Sequence, residues 1–417
     1  MSFNQAQQEA VSHNEGPCLV LAGPGSGKTL TIVGRIQKLI QTYHVRPEEI
    51  LVITFTKYAA VEMKNRFFSA MKGTRPAVTF GTFHGIYYGI LKWAYRFGPE
   101  NILSEEEKRQ MLLQIVNRKE IDEFEEEDFL KEIISEIGIV KNNGLKIEEY
   151  ETTICGKETF REIYREYERK RNEERKIDFD DMLLLCRDLF IKRPDILKKW
   201  QEKFRYILID EFQDINKLQY DIVKMLAAPD NNLFIVGDDD QSIYAFRGAK
   251  PEIMMHFPKD FPTVQTELLA CNYRSTKRIV EAAGKVIGHN KRRFKKKIHT
   301  ENEEGRKPLI KGFGTGREEE LYVKDCILKA REEGCPLEEI AVLYRTNSGA
   351  GSLVELLMEY QIPFQMRDTL PNLYEHWISG NFISYMRLAM GERSRQEFLQ
   401  VMNRPNRYIS RNALEDS

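Results

Sequence analysis

The chain has 417 residues, 41% hydrophobic and 30% charged, with a formal net charge of −1. This suits a soluble globular protein of roughly two to four domains. No stretch is long and apolar enough to span a bilayer, and the first five residues begin no signal peptide. The six cysteines are scattered without a C-x-x-C pair, so neither a zinc site nor a disulfide framework is indicated, and a reducing cytoplasm is the simplest compartment. The near-zero net charge lends no global support to nucleic-acid binding and leaves room for a local basic channel.

In chain order, the apolar run 18–21 reads as a strand, followed by Gly23-Pro24-Gly25-Ser26-Gly27-Lys28-Thr29 and a helical stretch through Ile36. Strand, glycine loop, helix is the context of a phosphate-binding P-loop. Gly23, Gly25 and Gly27 let backbone N–H groups turn inward, with Ser26, and the helix N-terminus adds positive potential. Lys28 would reach the β- and γ-phosphates and Thr29 would hold Mg²⁺. Segments 51–55 and 77–80 read as strands and 59–70 as a helix. From about 87 to 176 the chain becomes charged and helical; Ser104 to Glu107 forms a capping box, and the acidic run 123–128 reads as a solvated face.

Strand signals return at 206–209 and 233–236. The first ends in Asp210-Glu211. In P-loop enzymes such a strand lies beside the P-loop strand; Asp210 would ligate Mg²⁺ and Glu211 would orient and deprotonate a water. The second leads into Gly237-Asp238-Asp239-Asp240-Gln241, where Gln241 could sense a γ-phosphate. Tyr244, Phe246 and Arg247 follow, either as a base-stacking platform or, for the aromatics, as core residues. The basic run 291–297 reads as a solvated loop or as a phosphate-backbone contact. Segments 309–313 and 340–344 read as strands, 317–331 and 352–360 as helices, and the tail after about 373 as helical and amphipathic.

Taken together, these motifs resemble those of the superfamily 1 DNA helicases of the UvrD/PcrA/Rep group, in consistent order from Asn4 to Met366. The resemblance implies that Gln7 reads the adenine edge and that Arg35 and Tyr273 sandwich the ring. Phe55 and Thr56, then Phe83 and His84, match two segments that contact single-stranded DNA, as do Tyr244, Phe246 and Arg247. A lone histidine such as His84 is given no proton-transfer role. Residues 177–181 match the return to the first core domain, and Arg274 matches a residue that reaches the γ-phosphate. Lys57-Tyr58 stands where Asn-Lys is usual, and Phe246 where Trp is common. Beyond Met366 the usual Gly-Gly turn and aromatic pair are missing, and nothing resembles the last two motifs, so the chain reads as an N-terminal portion of such a helicase.

The implied fold is α/β: a RecA-like P-loop NTPase core with a parallel sheet over 1–85 and 177–262, a helical insertion over 86–176, an incomplete second RecA-like domain over 263–372 and the start of a further helical insertion over 373–417. The implied activity is ATP- and Mg²⁺-dependent 3′ to 5′ movement on single-stranded DNA with duplex unwinding at single-strand/double-strand junctions, without a membrane partner and with a monomer as the expectation. Two rivals remain: a nucleotide-gated single-strand clamp without turnover, favoured by the missing motifs, and a small-molecule P-loop kinase, which Phe83-His84 and Tyr244 to Phe246 argue against.

Overall fold

The computed structural model describes residues 3–118, 126–243, 248–367, 377–405, 407 and 409. The chain forms two compact units, Met1–Pro308 and Leu309–Ser417.

The first unit is built on six parallel strands: β1 (Cys18–Ala22), β2 (Ile50–Thr54), β3 (Thr79–Thr82), β4 (Tyr206–Ile209), β5 (Leu233–Gly237) and β6 (Gln265–Leu269), in the order β3-β2-β4-β5-β1-β6. Because strand side chains alternate between faces, a strand covered on both sides must be apolar throughout. Leu19, Leu51, Ile53, Ile207, Ile209 and Ile235 enter one core, while Cys18, Val20, Ile50, Val52, Leu208 and Val236 enter the other. Around the sheet run α1 (Gln5–Ser12), α2 (Lys28–Gln41), α3 (Lys57–Ala70) and α4 (Phe83–Tyr95). A helical module follows: α5 (Glu105–Arg118), α6 (Glu126–Asn142) and α7 (Lys157–Glu173). The chain then returns through α8 (Phe179–Lys192), α9 (Pro194–Lys203), α10 (Lys217–Ala227), α11 (Pro251–Asp260) and α12 (Lys277–Ile287).

The Ser104 capping box starts α5 as expected: the Glu107 amide donates to Ser104 Oγ (3.2 Å) and the Ser104 amide to Glu107 Oε2 (2.8 Å). The helical module has its own core, from Leu103 to Tyr167. Its two connections are clamped together, with the Leu103 amide on Ile177 O (2.8 Å) and the Ile177 amide on Asn101 O (2.7 Å). The module therefore begins later than residue 86, since Tyr87, Ile90 and Leu91 of α4 pack in the sheet core with α8. The acidic run 123–128 lies outside the residues whose side chains are described. The boundary expected at 262/263 also does not divide the sheet, because β6 pairs with β1 along its whole length, Cys18 opposite Gln265 and Ala22 opposite Leu269.

The second unit holds α13 (Gly316–Glu332), α14 (Gly351–Glu359), α15 (Trp377–Ala389) and α16 (Arg395–Val401). Its small core gathers Ile327, Leu357 and Ile362. The two expected strands at 309–313 and 340–344 are not formed: both segments are irregular, with Ile310 96% and Leu343 94% exposed. Their β-rich composition meets no neighbouring strand to complete a ladder among the described residues, and an unpaired strand has no hydrogen-bonded partner to hold it. No helix among the described residues is long and apolar enough to cross a membrane.

Candidate nucleotide site and adjoining cleft

The glycine loop leaves β1 at Ala22 and runs directly into α2 at Lys28. Gly25 and Gly27 have φ of +64° and +84°, conformations that L side chains rarely adopt. A Cβ at Gly25 would also stand 2.8 Å from Arg274 Cβ and 3.0 Å from Asn272 Oδ1. The loop is braced from the next crossover: the Gly23 amide donates to Leu269 O (3.1 Å) and the Tyr273 amide to Gly25 O (2.9 Å). Two features leave polar groups of the loop without acceptors. The N-terminus of α2 has no side-chain cap, so its first amides are left for an external acceptor. Ser26 Oγ is buried without a hydrogen-bond partner. A phosphate chain supplies acceptors for both.

Asp210 and Glu211 follow β4. Glu211 has φ +51°, an uncommon left-handed conformation for a non-glycine residue, of the kind that clusters at functional sites. Its Oε2 accepts from Lys28 Nζ at 3.2 Å and from Gln213 Nε2 at 2.8 Å. Asp210 is buried; burial and the neighbouring Glu211 push its carboxyl up to about 7, against the pull of Lys28. Asp214 is likewise pushed up to about 6, chiefly by burial and then by Glu211. A buried carboxyl group of this kind is stabilised as an anion by an added cation. The donor set fits Mg²⁺: the Asp210 carboxylate and the Thr29 hydroxyl, with phosphate and water oxygens completing a hard-oxygen shell. Among the described residues, no group of three or more His, Cys, Asp or Glu is arranged to hold a metal ion.

The strand order departs from expectation. β4 is not adjacent to β1; β5 lies between them. The turn after β5, Asp238 to Gln241, therefore leaves the sheet between the loop that carries Lys28 and the end that carries Glu211. Gln241 is exposed, and its Nε2 donates to Asp238 Oδ2 at 2.7 Å. Tyr244, Phe246 and Arg247 lie outside the described residues. Part of the basic run is turned inward: Lys296 donates to Asp238 and Asp239, Arg293 to Asp240, and the Phe294 amide to Asp239 Oδ2 (2.8 Å). Those two cations face aspartates, so the phosphate-backbone reading does not hold for them; Lys291, Arg292, Lys295 and Lys297 are exposed.

The residues expected around adenine are only partly together. Tyr273 is 51% exposed beside the glycine loop and its hydroxyl accepts from Asn4 Nδ2 at 2.7 Å. Gln7 is buried, donates from Nε2 to Ser26 O (2.9 Å) and accepts the Asn4 amide (3.0 Å). It tethers α1 to the phosphate loop, with one amide hydrogen not used in these bonds. Arg35 is not beside Tyr273. It is 2% exposed, with its guanidinium 5.3 Å from the Phe234 ring centroid and Nη2 on Asn14 O (2.8 Å). Seven residues along α2 from Lys28 is two turns, roughly 10 Å from the loop. Arg274 is exposed, and its amide and that of Ser275 are held by Asn272 Oδ1 at 2.8 and 2.7 Å.

Next to this site is a cleft of about 490 Å³ whose lining includes Phe55, Phe83, His84, Phe179, Asn142 and Asp214. Thr56 caps α3, accepting the Ala59 amide at 3.1 Å, and so fixes the turn that carries Phe55. His84 meets Phe179 edge-on at 6.0 Å. Burial holds the His84 imidazole below its ordinary pKa, with Asp180 opposing. Phe83 borders the cleft but is buried and packs on Tyr87 at 6.1 Å, so most of its ring belongs to the core. Sequence reading placed Gln213, Asp214 and Asp180 in matched motifs without giving them a role, and missed the partnership of Lys296 with the aspartates. Gln213 carried a signal as a polar residue two positions after Glu211.

A family model described as the UvrD/REP helicase N-terminal domain matches residues 3–262. The chain belongs to the UvrD/REP helicase family. A second model, the UvrD-like helicase C-terminal domain, matches residues 268–416. That match overturns the expectation that the chain is an N-terminal portion lacking the family's C-terminal part. Relatives at similar distance include YjcD of Bacillus subtilis, 36% identical over 421 residues, covering 99% of this chain and 55% of the relative. The ATP-dependent DNA helicase PcrA of Leuconostoc citreum is 34% identical over 423 residues (99% and 56%), and that of Staphylococcus epidermidis 36% over 425 residues (99% and 57%). This UvrD/REP family chain spans a little over half the length of those relatives.

Proposed function

We propose that the chain works as an ATP-dependent DNA helicase, using ATP hydrolysis to move 3′ to 5′ on single-stranded DNA and to open duplex at single-strand/double-strand junctions. The Lys28–Glu211 ion pair at 3.2 Å carries this reading, because it joins the phosphate-binding lysine to the carboxylate best placed to act on water. The family assignment and the PcrA relatives, named as ATP-dependent DNA helicases, support it. ATP phosphates would take the loop amides, Ser26 Oγ and Lys28. Lys28 would then exchange Glu211 for phosphate oxygens, leaving the carboxylate to accept a proton from the attacking water. Thr29 and Asp210 would hold Mg²⁺, which would supply charge neutralisation on the phosphates. Gln241 would contact the γ-phosphate, and Arg274, exposed and carried on a braced turn, would add positive charge to it. Tyr273 would stack on adenine and the free Gln7 amide hydrogen would meet its edge.

Single-stranded DNA would lie along the cleft, its bases against Phe55, Phe179 and His84, with Thr56 and the rim of Phe83 beside them; by family resemblance Tyr244, Phe246 and Arg247 would also bind it. Asn142 and the carboxylates suit exocyclic amines and base edges rather than phosphates. Helices α5 and α6 of the helical module line one side of the cleft, with Glu105, Ser135 and Asn142, and the module would meet the duplex. The clamp-without-turnover reading drew on missing C-terminal motifs, and the C-terminal family match removes that ground. The test is ATP hydrolysis with and without single-stranded DNA, together with strand displacement on a 3′-tailed duplex. DNA-stimulated hydrolysis supports the reading; hydrolysis indifferent to DNA but coupled to a small acceptor would replace it with a kinase.

A further inference from the structure

The hydrogen bonds around Glu211 continue beyond the nucleotide site. Gln213 donates to Glu211 Oε2 at 2.8 Å, and its Oε1 accepts the Asp238 amide at 3.0 Å. This junction is tight: a Cβ at Gly237 would lie 2.6 Å from Gln213 Oε1. The Asp238 carboxylate is then held at both oxygens, Oδ2 by Gln241 Nε2 at 2.7 Å and Oδ1 by Lys296 Nζ. Lys296 also bonds Asp239 and stands 3.0 Å from Asp240, with its own side chain buried. One ammonium thus holds three consecutive carboxylates on the turn that presents Gln241.

We propose that Lys296 is a positioning residue for hydrolysis, locking the Asp238 carboxylate so that Gln241 keeps its reactive orientation. The proposal rests on the reading of this site as an ATPase. Without the ammonium, Asp238 Oδ1 loses a partner, and the Asp238 and Asp239 carboxylates repel one another while Arg293 still balances Asp240. The Asp238 side chain then turns away from Gln241. The ion-pair partners of Lys296 are the three aspartates of this turn, so nucleotide affinity is spared while turnover falls.

The test uses the full chain with ATP, comparing kcat, KM and nucleotide affinity for the wild type, Lys296→Gln, Lys296→Arg and Gln241→Ala, and for the double variant Lys296→Gln/Gln241→Ala. Lys296→Gln should lower kcat by about 10- to 100-fold with KM changed less than about threefold. Lys296→Arg should recover most of the loss. The double variant should be no slower than Gln241→Ala, because the lysine acts through that glutamine. Should Lys296→Gln fail to fold, Lys296→Gln/Asp239→Asn restores the charge balance and should show the same kcat loss. A folded Lys296 variant with wild-type kcat, or losses that multiply in the double variant, would overturn the proposal and leave the ATPase reading standing. Absence of hydrolysis in the wild type would overturn both.

Discussion

Lys141→Met should cost the first unit about 3–5 kcal/mol, the range for breaking a buried ion pair by removing one partner. Lys141 comes from α6 in the helical module and has a fully buried side chain. Its Nζ lies 2.7 Å from Asp181, 2.8 Å from Glu168 and 3.1 Å from Asp178. Lys108 stands 3.1 Å from Asp178 and 3.4 Å from Asp180, and Arg171 3.0 Å from Asp181, so three cations face four carboxylates. Asp178 also accepts from the Tyr167 hydroxyl at 2.7 Å and caps α8. Burial would raise the Asp178 carboxyl, but Lys141 and Lys108 outweigh it and hold the group well below the usual carboxylate range. Methionine fills similar volume but removes the cation shared by Glu168, Asp178 and Asp181. The loss is several times that of an exposed pair such as Arg169–Glu173, worth at most about 1 kcal/mol. Urea denaturation followed by circular dichroism, with hydrogen exchange by segment, reads the effect. Exchange should quicken first where α6 and α7 meet α8. A Lys141→Met variant within about 1 kcal/mol of wild type would refute the reasoning, as would equal damage from Arg169→Ala.

Gly25→Ala should leave the fold intact but weaken ATP binding at least about tenfold, because its φ and the nearby Arg274 Cβ both oppose a side chain; titration with a fluorescent nucleotide checks it. His84 binds its proton less readily folded than unfolded, so its contribution makes the protein less stable as pH falls below the ordinary value of 6.5. His84→Gln should therefore flatten the stability profile on the acid side of that value, measured by thermal melts from neutral to acid pH; an unchanged slope would contradict the burial of the imidazole. Phe55→Ala should remove roughly 1–3 kcal/mol of single-strand affinity, with ATP affinity little changed, and binding should weaken steeply with salt; fluorescence anisotropy at several salt concentrations reads both.

The parts legible in the sequence are those whose signal is local. Strand, glycines and Lys28 lie within a dozen residues, and Ser104 with Glu107 within one turn. Asp210-Glu211 was legible as a strand end, but the strand order was not, since the placing of β5 between β4 and β1 is decided by long crossovers. Arg35 was drawn to adenine by family resemblance, whereas the geometry of α2 carries it two turns away and under Phe234. Segments 309–313 and 340–344 have strand composition, but composition cannot supply a pairing partner. Lys296 and Asp238 are 58 residues apart, so a charge run that read as solvent-facing or DNA-facing contains a buried ion pair visible only once the chain is folded.

The central claim is that Glu211 acts on water while Lys28 holds phosphate. Steady-state ATP hydrolysis with saturating single-stranded DNA, measured beside nucleotide affinity for the wild type, Glu211→Gln and Lys28→Ala, tests it most directly. The account predicts that Glu211→Gln binds ATP as tightly as wild type, or tighter because Lys28 is released, yet turns over at least about a hundredfold more slowly. Lys28→Ala should lose both affinity and turnover. Wild-type turnover in Glu211→Gln would contradict the assignment of the base and with it the reading of the site.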